Sequence, residues 1–407
     1  MRVRDKDLFL SLVGQLPDVL RSARFSMFTH ANRFKPNEEA CRERMQYDLC
    51  KECAAKSGLC GPAAREDPEG LSLLPDEKRV LDSMVRATNL TRQRRPFRHD
   101  PTSPPKLAYV VFGYDDVGIK TPNTADSVVR LLAGIVHPND TILVHIDGDS
   151  SPPFYQAVED YTRNFDNVNM VRERFVTSWG GISTVWIELA TIAEAIERDA
   201  KWEFFINLSG MDYPIKTHKE ITQFLGQNRG KSFIEHTYPT PKLLEAVHNY
   251  YIECSVGPVQ VKGAEGFVAQ FPSGTHVNAT IPYARGEHWW VLSREFCEWL
   301  VSSSTVRKML QWGKHILLPD EYFIMTAAVW SPHYPFVVSD HLRYIRRRDN
   351  GKRDLEPMDV PLMKNSTALF ARKFNPNAND VLSVMEAWLK EKIEKETAQP
   401  SHKRPTR

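Results

Sequence analysis

Between residues 107 and 208 the sequence switches repeatedly between two hydrophobic periods, and this restricts the fold more than any other feature. Short apolar runs of strand length (Leu107 to Phe112, Thr141 to Ile146, Val168 to Val171, Glu203 to Leu208) are separated by helical patterns over Asn123 to Val136, Phe154 to Phe165 and Ile182 to Arg198. In the first of these helices Val128, Val129, Leu131, Leu132 and Ile135 form an apolar stripe. Continuous apolar strands alternating with helices predict a parallel or mixed sheet with helices on both faces. Such sheets bind ligands at the carboxyl ends of their strands. The polar strand exits are therefore the candidate lip of a site: Gly113 and Tyr114, then Asp147-Gly148-Asp149, then Gly210 with Asp212.

Downstream, helices are predicted at Lys219 to Leu225, Lys242 to Tyr250, Arg294 to Ser302, Asp320 to Val329 behind Pro319, and Asn379 to Ile393. Strands are predicted at Ser232 to Glu235, Gly286 to Ser293 and Ala368 to Phe374. Upstream, a loosely helical Glu77 to Arg92 precedes a basic, Pro-rich connector through Pro96, Pro101, Pro104 and Pro105. That composition suits a linker. The division expected is a stem or accessory region over 1–105, one α/β domain over 106–395, and a polar tail over 396–407.

The 407 residues are 42% hydrophobic, enough for a large packed core. A net charge of +2 carries no overall polyanion signature, so nucleic acid is not a predicted partner. The basic runs Arg92 to Arg98 and Arg343 to Arg348 read as solvated faces, or for the second as a surface for phosphates or acidic glycans. No run approaches the roughly 20 apolar residues of a membrane span, and Leu8 to Leu16 is short and interrupted by Ser11 and Gly14. Cys41, Cys50, Cys53 and Cys60 lie close together, while Cys254 and Cys297 stand far downstream. Two local disulfides are preferred to zinc, because only one closely spaced pair is present. Glycosylation sequons begin at Asn89, Asn139, Asn207, Asn278 and Asn365, with Asn207 inside a predicted buried strand.

Five segments carry a resemblance: FFINLSGMDYPIKTHKEI at 204–221, TSWGGISTV at 177–185, GEHWWVLSREF at 286–296, LLPDEYFIMTAAVWSP at 317–332 and LFARKF at 369–374. Together they resemble, in order, the branching β-1,6-N-acetylglucosaminyltransferase and peptide O-xylosyltransferase family. The resemblance implies a GT-A type fold and inverting transfer from a UDP-sugar to a glycan or protein serine. It also implies residence in the Golgi lumen, normally as a type II membrane protein, although no anchor or signal is evident in this sequence.

Inverting transfer requires a carboxylate to deprotonate the acceptor hydroxyl, and Glu321 matches the family's base. On residues alone, Asp320 and Glu321 could merely complement the positive end of a helix. Arg372 and Lys373 match a diphosphate clamp that works without metal, fixed cations meeting the charge on the departing UDP. Asp147 matches a uridine contact, and Gly113 falls where the family has histidine-containing residues, a departure. A metal, manganese for example, held by Asp147 and Asp149 stays open. Trp179, Glu287, His288, Trp289 and Asp320 match positions near the two sugars, and Glu253 matches an acceptor-side acid. The xylosyltransferases have an aspartate where this chain has His288, which leaves the donor undecided. The contrasting reading is a non-catalytic glycan-binding protein that keeps the fold. A two-carboxylate glycosidase lacks an acid partner for Glu321.

Overall fold

The computed structural model describes residues 75–398 except 95, 116–122, 239–244, 250, 255–256, 261–282, 349–350, 353 and 378–379. The cluster from Cys41 to Cys60, the Leu8 to Leu16 run, the Asn278 sequon and the tail beyond 398 lie outside the described residues, as does part of the helix expected over 242–250.

The predicted alternation is present. Helix α1 (Pro75–Gln93) precedes β1 (Leu107–Gly113), α2 (Ala125–Ile135), β2 (Thr141–Ile146), α3 (Pro152–Thr162), β3 (Val168–Met170), α4 (Ser183–Arg198) and β4 (Phe204–Ser209). There follow β5 (Tyr213–Pro214), α5 (His218–Gly226), β6 (Ser232–Ile234), β7 (Tyr251–Cys254), β8 (Gly257–Gln260) and β9 (Trp290–Ser293). The chain continues through α6 (Arg294–Ser302), α7 (Ser304–Gly313), α8 (Phe323–Trp330), β10 (Val337–Val338), β11 (Arg343–Ile345) and a small hairpin of β12 (Arg347–Arg348) with β13 (Gly351–Lys352). It ends with β14 (Phe370–Arg372) and α9 (Asp380–Ala398).

The main sheet has the order β10-β6-β9-β4-β1-β2-β3. β1 pairs in parallel with both β2 and β4, whereas β9 runs antiparallel between β4 and β6. The sheet is thus mixed and mainly parallel. Alternate residues of β1 feed two cores, as the period of a strand requires. Ala108 and Val110 pack with Trp186, Trp202, Trp290 and Phe323 on one face, while Leu107, Tyr109 and Val111 pack with Val128, Leu131 and Leu225 on the other. Burial on both faces explains why β1, β2 and β4 read as unbroken apolar runs. A second sheet, β11-β14-β5, carries Arg372 to the exit of β4.

Two expectations change. The boundary at 105 does not separate α1 from the domain, because Val80, Met84 and Ala87 are fully buried in the same core as α4 and α6. Arg94 also donates to the carbonyl of Ile196 at 2.6 Å, and His99 lies between Glu203 and Glu295. The spacing of 80, 84 and 87 makes one helical face, so the segment read as a stem is a layer of the domain. The helix predicted over 320–329 is also divided. Pro319–Glu321 forms a 3-10 turn, Tyr322 leaves helical geometry at φ −125°, and α8 begins only at Phe323. Asp320 and Glu321 therefore sit in their own turn, ahead of the α-helix they were expected to open.

Candidate active site

At the exits of β1 and β2, the Asp147 N–H donates to the carbonyl of Gly113 at 2.9 Å. A Cβ on Gly113 would come within 2.7 Å of the tip of the Ile146 side chain, which would have to shift to admit it. The Asp147 carboxylate is buried and engaged on both oxygens. Oδ2 accepts from the N–H and hydroxyl of Thr177, and Oδ1 accepts from the Asp149 N–H at 3.0 Å. Burial raises its pKa against the pull of these bonds. Asp149 itself is exposed. Beside them, buried His145 accepts the Phe175 N–H at 3.1 Å, and burial together with Arg174 pushes it down to about 3. A neutral imidazole thus ties β2 to the segment leading into Thr177.

That segment ends at α4, whose N-cap residue Ile182 offers no side-chain cap. Glu253 of β7 supplies one. Its Oε2 accepts the Ser183 N–H at 3.0 Å and its Oε1 accepts the Ser183 hydroxyl. A Cβ on Gly181 would lie 2.2 Å from the Glu253 Cδ, so glycine at 181 is what admits the carboxylate. Expected as an acceptor-side acid, Glu253 is found anchoring a helix start, a favourable place for a negative charge. The Leu318 N–H donates to the Gly180 carbonyl at 3.0 Å, joining this loop to the 319–321 turn. Trp179, next to it, is 63% exposed.

Asn207 of β4 is fully buried, as its strand predicted. Its amide donates to the His288 carbonyl at 2.8 Å and its carbonyl accepts the Trp290 N–H at 3.0 Å. This clamp fixes residues 288–290 where β9 begins, at Trp290. His288 Nδ1 lies 2.8 Å from Asp320 Oδ2. Its Nε2 stands 3.0 Å from Glu188 Oε1, an ion-pair contact not aligned as a hydrogen bond. Burial opposes the charge on His288, but the two carboxylates outweigh it and raise the pKa to about 10, while burial raises that of Glu188. The folded value lies above the ordinary 6.5, so the imidazolium's stabilisation is complete below about pH 6.5 and is lost as pH rises through 10. The melting-temperature advantage of the native protein over a His288→Asn variant is expected to shrink by roughly 5 °C between pH 6.5 and 10. Thermal melts showing a constant or widening gap would exclude the charged triad.

Glu321 accepts from Arg285 Nε at 3.1 Å and from its second guanidinium nitrogen. Burial lowers and Glu321 raises the Arg285 pKa, with the pairing prevailing. The Gly286 N–H donates to the Glu321 carbonyl at 2.9 Å, and a Cβ at 286 would strike the Glu235 carbonyl at 1.8 Å. Arg372, 4% exposed, stacks 3.5 Å from the Trp289 ring, and its Nη1 is 3.5 Å from Asp212 Oδ2. Asp212 Oδ2 accepts the N–H and hydroxyl of Ser209, while its Oδ1 has no hydrogen-bond partner. Arg372 Nε and Nη1 also lack hydrogen-bond partners, and burial lowers the arginine's pKa despite Asp212, Tyr114 and Glu287. Lys373 follows, half-buried. Glu287 is buried and accepts from Arg347 at 2.8 Å.

The fold therefore brings Arg372, Trp289, His288 and Asp320 into one run of contacts, with Glu287 and Glu321 as chain neighbours. Phe112 bridges this run to His145, its ring 6.3 Å from each of the two histidines. Asp147, Gly113, Trp179 and Glu253 belong to the adjoining exits and loop. Arg285, Glu188 and Asn207 were not singled out as site residues from the sequence. Glu188 lies on a helix whose residues from Val185 to Ile196 are all buried, so no periodic signal marks it.

The sheet and its polar exits define an open α/β ligand-binding domain. Residues 119–360, more than half of the chain, match the sequence model of the Core-2/I-Branching enzyme, and the chain belongs to that family. It is 27% identical over 289 residues to xylosyltransferase oxt of Drosophila pseudoobscura pseudoobscura, with 64% of this chain and 32% of the relative covered. To xylosyltransferase 2 of Rattus norvegicus it is 28% identical over 282 residues, covering 63% and 31%. The chain spans about a third of the length of these relatives. A mannosyltransferase of Pyrobaculum calidifontis, solved with GDP-Man and Mn2+, is 9% identical over 66% of this chain and 64% of its own, with a TM-score of 0.27, too slight a likeness to bear on the chemistry.

Proposed function

We propose that this chain is an inverting glycosyltransferase that moves xylose or N-acetylglucosamine from a UDP-sugar to a glycan hydroxyl or a protein serine, in the Golgi lumen. Family membership and the xylosyltransferase relatives support the class of reaction. The acceptor oxygen attacks the anomeric carbon on the face opposite UDP, the bond from that carbon to the β-phosphate oxygen breaks, and UDP leaves with the electron pair. Glu321 takes the acceptor's proton. Arg372 and Lys373 offset the charge gathering on the diphosphate, so no metal is required. Asp147 and Gly113 border the uridine, and Trp179, Trp289, Glu287, His288, Asp320 and Glu253 border the sugars. The observation that carries this reading is Arg372. A buried guanidinium with two nitrogens lacking hydrogen-bond partners costs free energy that a bound anion would recover.

The ion pair between Arg285 and Glu321 favours a second reading, a glycan-binding protein without catalysis, because it occupies the carboxylate that would take the acceptor's proton. UDP release is the discriminating measurement, taken across UDP-xylose, UDP-N-acetylglucosamine and UDP-glucuronic acid with and without EDTA. Acceptor-dependent release that persists in EDTA is expected for xylose or N-acetylglucosamine. Chelation that abolishes turnover, with manganese restoring it, would transfer the diphosphate to Asp147 and Asp149. Glycan binding without UDP affinity would support the non-catalytic reading.

A further inference from the structure

The amino ends of β1 and β2 lie across the sheet from the candidate site, about 20 Å away at 3.3 Å per strand residue. There the turn after α2, the start of β2 and the first residue of α5 bring together His137, Asp140 and His218. Their donor atoms all lie within 4.8 Å of one another. Asp140 is 1% exposed; its Oδ2 is 2.8 Å from His218 Nε2 and its Oδ1 accepts the Leu107 N–H at 2.9 Å. The two imidazoles stack with centroids 3.7 Å apart and planes 10° from parallel.

We propose that His137, Asp140 and His218 form a binding site for a divalent ion of the zinc type, independent of the transferase chemistry. Two imidazole nitrogens and one carboxylate oxygen are the donor set of zinc, cobalt or nickel, while magnesium and calcium take oxygen ligands alone. The surroundings already hold Asp140 and the backbone of both histidines in place. Leu107 fixes one carboxylate oxygen, and the Asn167 amide donates to the carbonyls of His137 and Asp140 at 2.9 and 2.8 Å. Thr217 and Glu220 close a capping box that sets His218 at the start of α5. Supporting bonds of this kind orient metal ligands. Tetrahedral zinc, with ligands at about 2.0–2.1 Å, needs donors roughly 3.3 Å apart. Unstacking the half-buried His137 ring by rotation can supply the contraction. The ion would take the place now held by the contact between His218 and Asp140, and water would complete its coordination. It would join α2, β2 and α5 at one point, so binding would stabilise the fold.

The test is a titration of chelator-stripped, dialysed protein with Zn2+ by calorimetry and with Co2+ by visible absorption. One equivalent is expected to bind, with tetrahedral cobalt bands and a melting temperature raised by roughly 5 °C at a hundredfold excess over Kd. His137→Gln and His218→Gln, each confirmed as folded by circular dichroism, are expected to weaken binding roughly a hundredfold or more. Asp149→Asn is expected to leave it unchanged. Absence of binding to the native protein at 100-fold molar excess of either ion would overturn the proposal. Binding that survives either histidine variant, or that depends on Asp149, would overturn it as well.

Discussion

Glu321→Gln is expected to lower kcat by roughly 10²–10⁴-fold while changing UDP affinity by less than threefold. Glutamine keeps the shape of the side chain and can still accept from Arg285, so the 3-10 turn and the Gly286 N–H contact to residue 321 should survive. Only the capacity to take a proton disappears. A thousandfold loss corresponds to about 4 kcal/mol of transition-state stabilisation, far above the cost of perturbing one partly exposed ion pair. The readout is UDP release at saturating acceptor together with calorimetric UDP binding. An activity within fivefold of the native enzyme would remove Glu321 from the base role. Because the Glu321 carboxylate is held by Arg285, the acceptor must draw it away or share it.

Arg372→Ala is expected to weaken UDP binding by at least a hundredfold and also to destabilise the fold. The first effect follows from losing a charge-assisted contact to the diphosphate. The second follows from leaving the buried Asp212 carboxylate without the guanidinium beside it, since removing one partner of a buried pair typically costs about 3–5 kcal/mol. Arg372→Lys separates the two. It keeps a positive charge near Asp212 but loses the planar stack on Trp289 and the forked donor geometry. Near-native melting with at least tenfold weaker UDP binding is expected of it. Unchanged UDP affinity in a folded Arg372→Lys protein would make the arginine a structural counter-ion of Asp212.

The 319–321 turn shows how far a local reading reaches. Pro319 and the two acids after it predicted a helix start, and a turn does begin there, but whether the acids lie inside the α-helix depends on Tyr322 breaking the geometry. Arg285 stands 36 positions from Glu321 and meets it where the neighbouring Gly286 N–H reaches the Glu321 carbonyl. Glu253 matched a functional motif, and its carboxylate also holds the start of α4, a contact across 70 residues. Segment 75–93 shows the opposite error, its apolar face being periodic in the sequence while the Pro-rich connector behind it suggested separation from the core that buries it.

By itself the sequence determined the order of strands and helices between residues 107 and 209, the burial of β1, β2 and β4 and the polar exits, because these follow from hydrophobic period and from glycine and proline within a few residues. It also carried the family motifs. Only the tertiary structure decided which charges meet. The pairing of His288 with Glu188 and Asp320, of Arg372 with Trp289 and Asp212, and of His218 with His137 and Asp140 joins residues from separate elements. Nothing in local pattern encodes such contacts. Sheet order and the second sheet's delivery of β14 to the exit of β4 create the contacts at the site, and burial makes the pairings of His288 and Arg372 costly to break.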